Sequence, residues 1–111
     1  MVSRYVPEEG DIVWLEFDPQ AGHEQAGHRP AVVLSRKAYN RKTGLAIFCP
    51  ITSRVKGYPF EVIVKGQKIR GAVLSDQVKS LDWRARQAKL IGKLSDEALS
   101  EVVAKLSSII Q

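Results

Sequence analysis

Ile12-Val13-Trp14-Leu15-Glu16-Phe17-Asp18 alternates between apolar and mixed positions. Val13, Leu15 and Phe17 point to one side, and Ile12, Trp14, Glu16 and Asp18 to the other. A period of two marks a half-buried strand. Pro19 ends it, and residues 19–29 read as a loop holding Gly22 and Gly27. Pro30-Ala31-Val32-Val33-Leu34-Ser35 reads as a second strand, with proline at its first position, where it is tolerated. Residues 36–43 form a basic connection with room for a short helical turn, closed by Gly44. Residues 45–51 are almost continuously apolar, which predicts a strand buried on both faces. A polar, basic loop follows at 52–58, then an alternating strand at 59–65 with Phe60, Val62 and Val64 on one face. Gly66 marks a turn, Gly71 opens a strand over 72–78, residues 83–88 are irregular, and 89–94 read as a last short strand.

The period then changes. Leu99, Val102, Val103, Leu106, Ile109 and Ile110 recur at helical spacing. Ser95 suits an N-cap, Asp96 and Glu97 suit the first turn, and Leu94 with Leu99 sit at hydrophobic-staple positions. The stripe is expected to lie on the sheet. Five or six short strands followed by one helix predict a mainly β (α+β) chain: a small antiparallel barrel or strongly curved sheet with a C-terminal amphipathic helix.

The chain's 111 residues suffice for a single domain spanning 1–111, and its 44% hydrophobic and 26% charged composition is that of a globular protein. The longest apolar run is the five residues Leu45 to Cys49, too short to span a membrane. The N-terminal residues show no apolar signal region, so the cytoplasm is the expected location. Charge is unevenly spread. Residues 1–35 carry two cations and six acids, residues 36–70 nine cations and one acid, and residues 71–111 six cations and five acids. The central block is either a solvated basic face or a surface for a polyanion.

Metal and cofactor chemistry find no motif. His23 and His28 are five apart, unlike the spacing of a zinc helix, and the lone Cys49 makes neither a metal box nor an internal disulfide. Cys49 lies within an apolar strand, which suits a structural cysteine better than a nucleophile. The stretch Gly22-His23-Glu24-Gln25-Ala26-Gly27-His28-Arg29-Pro30 is different. It packs an acid, two imidazoles and a guanidinium between two strands. Arg29 is either half of a surface salt bridge or an anion clamp, since a guanidinium forks onto two phosphate oxygens. Thr52-Ser53-Arg54-Val55-Lys56 brings two hydroxyls and two cations to the end of the next strand, a second set of phosphate ligands. Tyr58 stands in that basic loop as a candidate for stacking on a base, or as part of a plain Tyr-Pro turn. Trp14 has three roles open to it: a second core layer, an interface, or a stacking platform.

Val6-Pro7, Gly10-Asp11-Ile12-Val13-Trp14, and Gly22-x-Glu24-Gln25-x-Gly27-x-Arg29-Pro30 through Ser35 closely resemble the MazF/PemK family of toxin–antitoxin toxins. The resemblance continues through Cys49-Pro50-Ile51-Thr52-Ser53, Lys56-Gly57-Tyr58-Pro59-Phe60-Glu61-Val62, Asp76 to Ser80, and Trp83 to Arg86, and leaves out residues 36–43. It implies an SH3-like barrel that forms a homodimer and a metal-independent, cofactor-free endoribonuclease that cuts single-stranded RNA at short sequences. It also implies an antitoxin whose disordered acidic tail lies along the RNA groove. Carried over by motif, Arg29, Thr52 and Glu24 are the implied catalytic residues. His28, Ser53, Arg54, Lys56, Tyr58 and Trp14 are expected at the RNA. The implied reaction is attack of a 2′-hydroxyl on the adjacent phosphorus, with Arg29 on the phosphorane oxygens and Glu24 or His28 as base or as orienter of Arg29. Proton transfer by Arg29 itself, also implied by the family, is disfavoured because a guanidinium gives up its proton too reluctantly. Two alternatives stand beside this reading: a toxin of the same fold that poisons DNA gyrase by binding, and a non-catalytic RNA-binding barrel.

Overall fold

A computed structural model describes residues 5–17, 27–66 and 68–111. The elements run β1 (Asp11–Phe17), β2 (Gly27–Val33), α1 (Lys37–Thr43), β3 (Leu45–Thr52), β4 (Glu61–Lys65), β5 (Arg70–Leu74), β6 (Lys79–Asp82), β7 (Lys89–Lys93) and α2 (Asp96–Ile110). All pair antiparallel into a seven-stranded sheet of order β4-β5-β3-β2-β1-β7, with β6 attached to β3 off that path.

The centre of this sheet is buried on both faces. On one face, Ile12, Val32, Cys49 and Ile51 join Val62, Val64 and Val73 in a cluster that α2 closes with Val102, flanked by Leu99. On the other, Val13, Leu15, Ala31, Val33, Ala46 and Phe48 pack with Trp83. The period of two thus sends alternate residues of β1, β2 and β3 into two different cores. The reading of residues 45–51 as doubly buried holds for Ala46, Phe48, Cys49 and Ile51 for this reason, whereas Leu45 at the start of the strand is exposed. The end strands of the path are β4 and β7. Helix α2 bridges them, because Leu99 and Val102 share a cluster with Val62 and Val64 of β4 and with Ile91 of β7. Ser95 caps the helix as expected, accepting from the Ala98 N–H at 3.1 Å.

Four sequence expectations need correction. β2 begins at Gly27, not at Pro30. Proline is tolerated inside it because Pro30 pairs only with Trp14 of β1, while pairing with β3 starts at Ala31. The expected strand at 72–78 is two strands: a turn carrying Gln77 N–H to Leu74 C=O at 3.1 Å separates β5 from β6. β5 then pairs with the C-terminal half of β3 and β6 with its N-terminal half. β4 starts at Glu61, since a turn through Pro59 and Phe60 closes with the Glu61 N–H on the Tyr58 carbonyl at 3.0 Å. The apolar stripe of α2 lies on the sheet only in its first half: Val102 is buried, but Ile109 and Ile110 are 46% and 68% exposed. The short helix read after residue 36 is present as α1, and Gly44 ends it in the left-handed region at φ 75°.

α1 carries an anchor on its inner face. Asn40 is fully buried. Its Nδ2 donates to the Pro7 carbonyl at 2.8 Å and to the Ser35 carbonyl at 3.1 Å, and its Oδ1 accepts from the Ser35 hydroxyl. The same serine oxygen accepts from the Ile47 N–H at 2.8 Å, so one side chain ties the N-terminal segment, the exit of β2 and β3 together.

Candidate functional site

The register of the sheet places Arg29 and Thr52. Arg29 pairs with Leu15 across β1–β2, and Thr52 pairs with Ala72 across β3–β5. Between β2 and β3 the pairs run Val33↔Phe48, Val32↔Cys49, Ala31↔Pro50. Arg29 and Thr52 each lie two residues beyond the last β2–β3 pair, on their own strands. Both are half-buried. By alternation both belong to the face of Leu15, Ala31 and Phe48, the solvent-facing margin of the second core cluster.

Thr52 is oriented. Its Oγ1 accepts from the Arg54 N–H at 3.1 Å, a local turn that uses an oxygen lone pair and leaves the hydroxyl proton to be donated. The loop beyond it is fastened at three points. The Glu61 carboxylate accepts from the Lys56 N–H at 3.1 Å and the Gly57 N–H at 3.0 Å. The Tyr58 hydroxyl donates to Asp76 at 2.8 Å, and Lys105 donates to the Pro59 carbonyl at 2.6 Å. The bond to Asp76 holds the Tyr58 phenol above its ordinary pKa. The Tyr58 ring is exposed beside Phe60, centroids 5.7 Å apart. Ser53, Arg54 and Lys56 are exposed. Among the described residues, salt bridges are made by Lys93 and Lys105, and none by the nine cations between 36 and 70. Their charge is available to a polyanion.

Arg29 thus lies within β2, two residues before its first pair with β3, while Thr52 ends β3 and Ser53, Arg54, Lys56 and Tyr58 lie on the loop that follows. Trp14 stands apart: it is half-buried on the other face of β1, paired with Pro30 and Lys89. His28 pairs with Glu16 in the β1–β2 ladder, but its side chain lies outside the described residues. Glu24 and His23 lie outside them altogether. Sequence reasoning missed the supports of the site, Glu61 and Asp76. Two signals were open: Glu61 is the one acid in the central basic block, and both Glu61 and Asp76 stand in stretches that carry the family resemblance.

Cys49 takes no part. It is fully buried, and burial, aided by the nearby Asp76 charge, pushes its thiol up to about 12. It is expected to resist iodoacetamide at pH 8 in the native protein and to react once denaturant is added; mass spectrometry of the two samples checks this. Native modification at the rate of a free thiol would contradict the assigned burial. Among the described residues no group of three or more His, Cys, Asp or Glu side chains could hold a metal ion, and no helix is long and apolar enough to cross a membrane.

Residues 8–110 match the model of the PemK-like, MazF-like toxins of type II toxin–antitoxin systems. The chain is 54% identical over 110 residues to the endoribonuclease toxin MazF of Escherichia coli (strain K12), covering 99% of both chains. It superimposes on the crystal structure of MazF (Form-I) from Deinococcus radiodurans with a TM-score of 0.88 and 53% identity, covering 96% of this chain and 97% of that one. A MazE-MazF crystal structure (Form-II) from the same organism matches with a TM-score of 0.89 and 53% identity, covering 96% of each.

Proposed function

Since the chain belongs to the PemK-like, MazF-like family of type II toxin–antitoxin toxins, we propose that its endoribonuclease activity is carried by Arg29 of β2 and Thr52 of β3. The protein is the toxin of such a system, an endoribonuclease that cuts RNA and thereby inhibits translation and growth. The observation that supports the site assignment is the register: Arg29 on β2 and Thr52 on β3, whose hydroxyl is oriented by the Arg54 N–H, each lie two residues past the last β2–β3 pair.

That pair suits self-cleavage of a single strand. The 2′-oxygen forms a bond to the adjacent phosphorus, the bond from phosphorus to the 5′-oxygen breaks, and the products are a 2′,3′-cyclic phosphate and a 5′-hydroxyl. One proton passes from the 2′-hydroxyl to the base, and one passes to the departing 5′-oxygen from the protonated base or from water. Arg29 forks onto the non-bridging oxygens, where charge develops as the phosphorane forms. Thr52 donates its hydroxyl proton to a further oxygen. For the base we propose Glu24 or His28. Arg54 and Lys56 follow the flanking phosphates, and Ser53 and the Tyr58 ring contact the strand beside them. The residues need no metal for any of these steps. Activity in the cytoplasm, where mRNA is found, follows from this reading.

The D. radiodurans relative is solved with MazE. For this chain the partner we propose is an acidic, disordered antitoxin tail that competes with RNA for the basic loop, with Trp14 as an apolar anchor on the neighbouring face of a homodimer.

The test is cleavage of a long transcript in EDTA, with cut sites and end groups mapped. Expected are 2′,3′-cyclic phosphate and 5′-hydroxyl ends, resistance of duplex RNA, and no cut at a site whose 5′-side nucleotide is 2′-deoxy. A need for added divalent metal, 5′-phosphate ends, or cutting of DNA overturns the mechanism.

A further inference from the structure

We propose that Gly71 is a positioning residue for Thr52: the bare backbone of β5 at this glycine is the seat that aims the Thr52 hydroxyl at the phosphate. The inference rests on the reading of Thr52 as a phosphate donor.

Gly71 sits one step from the Thr52↔Ala72 pair, at φ +144°, a conformation that L side chains rarely adopt. A Cβ at this position would lie 2.1 Å from the Thr52 carbonyl oxygen, 2.9 Å from its carbonyl carbon and 3.3 Å from Ser53 Cα. β5 is thus pressed directly on the Thr52–Ser53 peptide, with only a glycine hydrogen between them. On its other edge β5 is paired residue by residue with β4, through Val62↔Val73, Ile63↔Ala72 and Val64↔Gly71. Val62, Val64, Ala72 and Val73 are buried, so β5 cannot retreat. Thr52 is the last residue of β3 and is followed by exposed residues, so it is the side that gives way. Its hydroxyl is set by the bond from the Arg54 N–H, two residues on, and moves with the peptide.

Displacement of a reacting or stabilising group by about 1 Å costs up to a hundredfold in rate. Gly71→Ala is therefore expected to lower kcat about 10- to 100-fold. KM should change less than kcat, because Lys56, whose N–H is held by the Glu61 carboxylate, lies beyond the displaced peptide.

The experiment is a double-mutant cycle on an RNA oligonucleotide in EDTA: wild type, Thr52→Ala, Gly71→Ala, and both together. The expected result is that Gly71→Ala slows kcat in the wild-type background and has no further effect once Thr52 is alanine. An equal loss in both backgrounds overturns the positioning role, because it shows damage that does not pass through Thr52. A Thr52→Ala protein cutting at the wild-type rate instead removes the reading of Thr52, and the Gly71 proposal with it.

A stereochemical arm separates direction from bulk. Two synthetic segments joined at Cys49 give the chain with D-alanine at position 71, which accepts positive φ and carries its methyl where glycine has its other hydrogen. It is expected to cut at close to the wild-type rate; a loss equal to that of L-alanine overturns the proposal. Should the L-alanine protein not fold, Ala72→Gly replaces it in the cycle. It slackens the residue paired with Thr52 without adding an atom, and it is expected to slow cleavage about tenfold only while Thr52 is present, with independence from Thr52 again overturning the proposal.

Discussion

Arg29→Ala yields a folded protein that cuts RNA about two to three decades more slowly, the loss seen when one donor of an oxyanion site is removed. The fold survives because Arg29 is half-buried at the margin of a core that Leu15, Ala31, Val33 and Phe48 fill without it. The rate does not survive, because phosphorane charge is then met by the Thr52 hydroxyl alone. Arg29→Lys is expected to recover only part of the loss, since an ammonium supplies charge but not the planar fork. Single-turnover rates beside circular dichroism measure both halves of this expectation. A folded Arg29→Ala protein with wild-type rates refutes the assignment.

Asn40→Ala acts at the other end of β3 and on stability alone. The substitution takes the buried donors from the Pro7 and Ser35 carbonyls and the acceptor from the Ser35 hydroxyl. A buried polar group left without a partner costs about 1–3 kcal/mol. With two or more such groups the expected loss is about 3 kcal/mol, or about 10–20 °C in Tm for a chain of this size. The backbone carbonyl of residue 40 still accepts from the Trp83 indole N–H, so the change does not strip that contact from the second core. Urea unfolding of wild type and variant is the measurement. A loss under about 1 kcal/mol shows that water or a neighbour satisfies the orphaned groups.

These two residues mark how far the sequence was legible. Arg29 and Thr52 stand in recognisable motifs, and the alternation in β1 and the apolar run in β3 point to the sheet that holds them. Their places beyond the last β2–β3 pair depend on the β2–β3 register, which no local pattern encodes. Asn40 sits in a basic stretch that the family resemblance does not cover, and nothing in its neighbours marks the one inward-facing polar side chain of α1. Pro30 hid the start of β2, because the open edge that tolerates it is a property of the assembled sheet. The apolar residues between Ala72 and Val78 hid the turn at Ser75 and Asp76, where β5 ends and the chain crosses to pair with the other half of β3. Gly71 read as a strand opener, whereas its role is set by a close approach from a strand some twenty residues earlier.

β3 lies between β2 on one edge and β5 and β6 on the other, and it feeds both cores. No half of this molecule can come apart while the other stays intact, because each would lose the same strand. Amide exchange in the middle of β3 should therefore report the whole free energy of unfolding rather than a local opening. A protease that cuts within the sheet then meets either the intact fold or a fully opened chain. The toxin's lifetime against such cutting is accordingly a single quantity, set by how often the entire fold lets go.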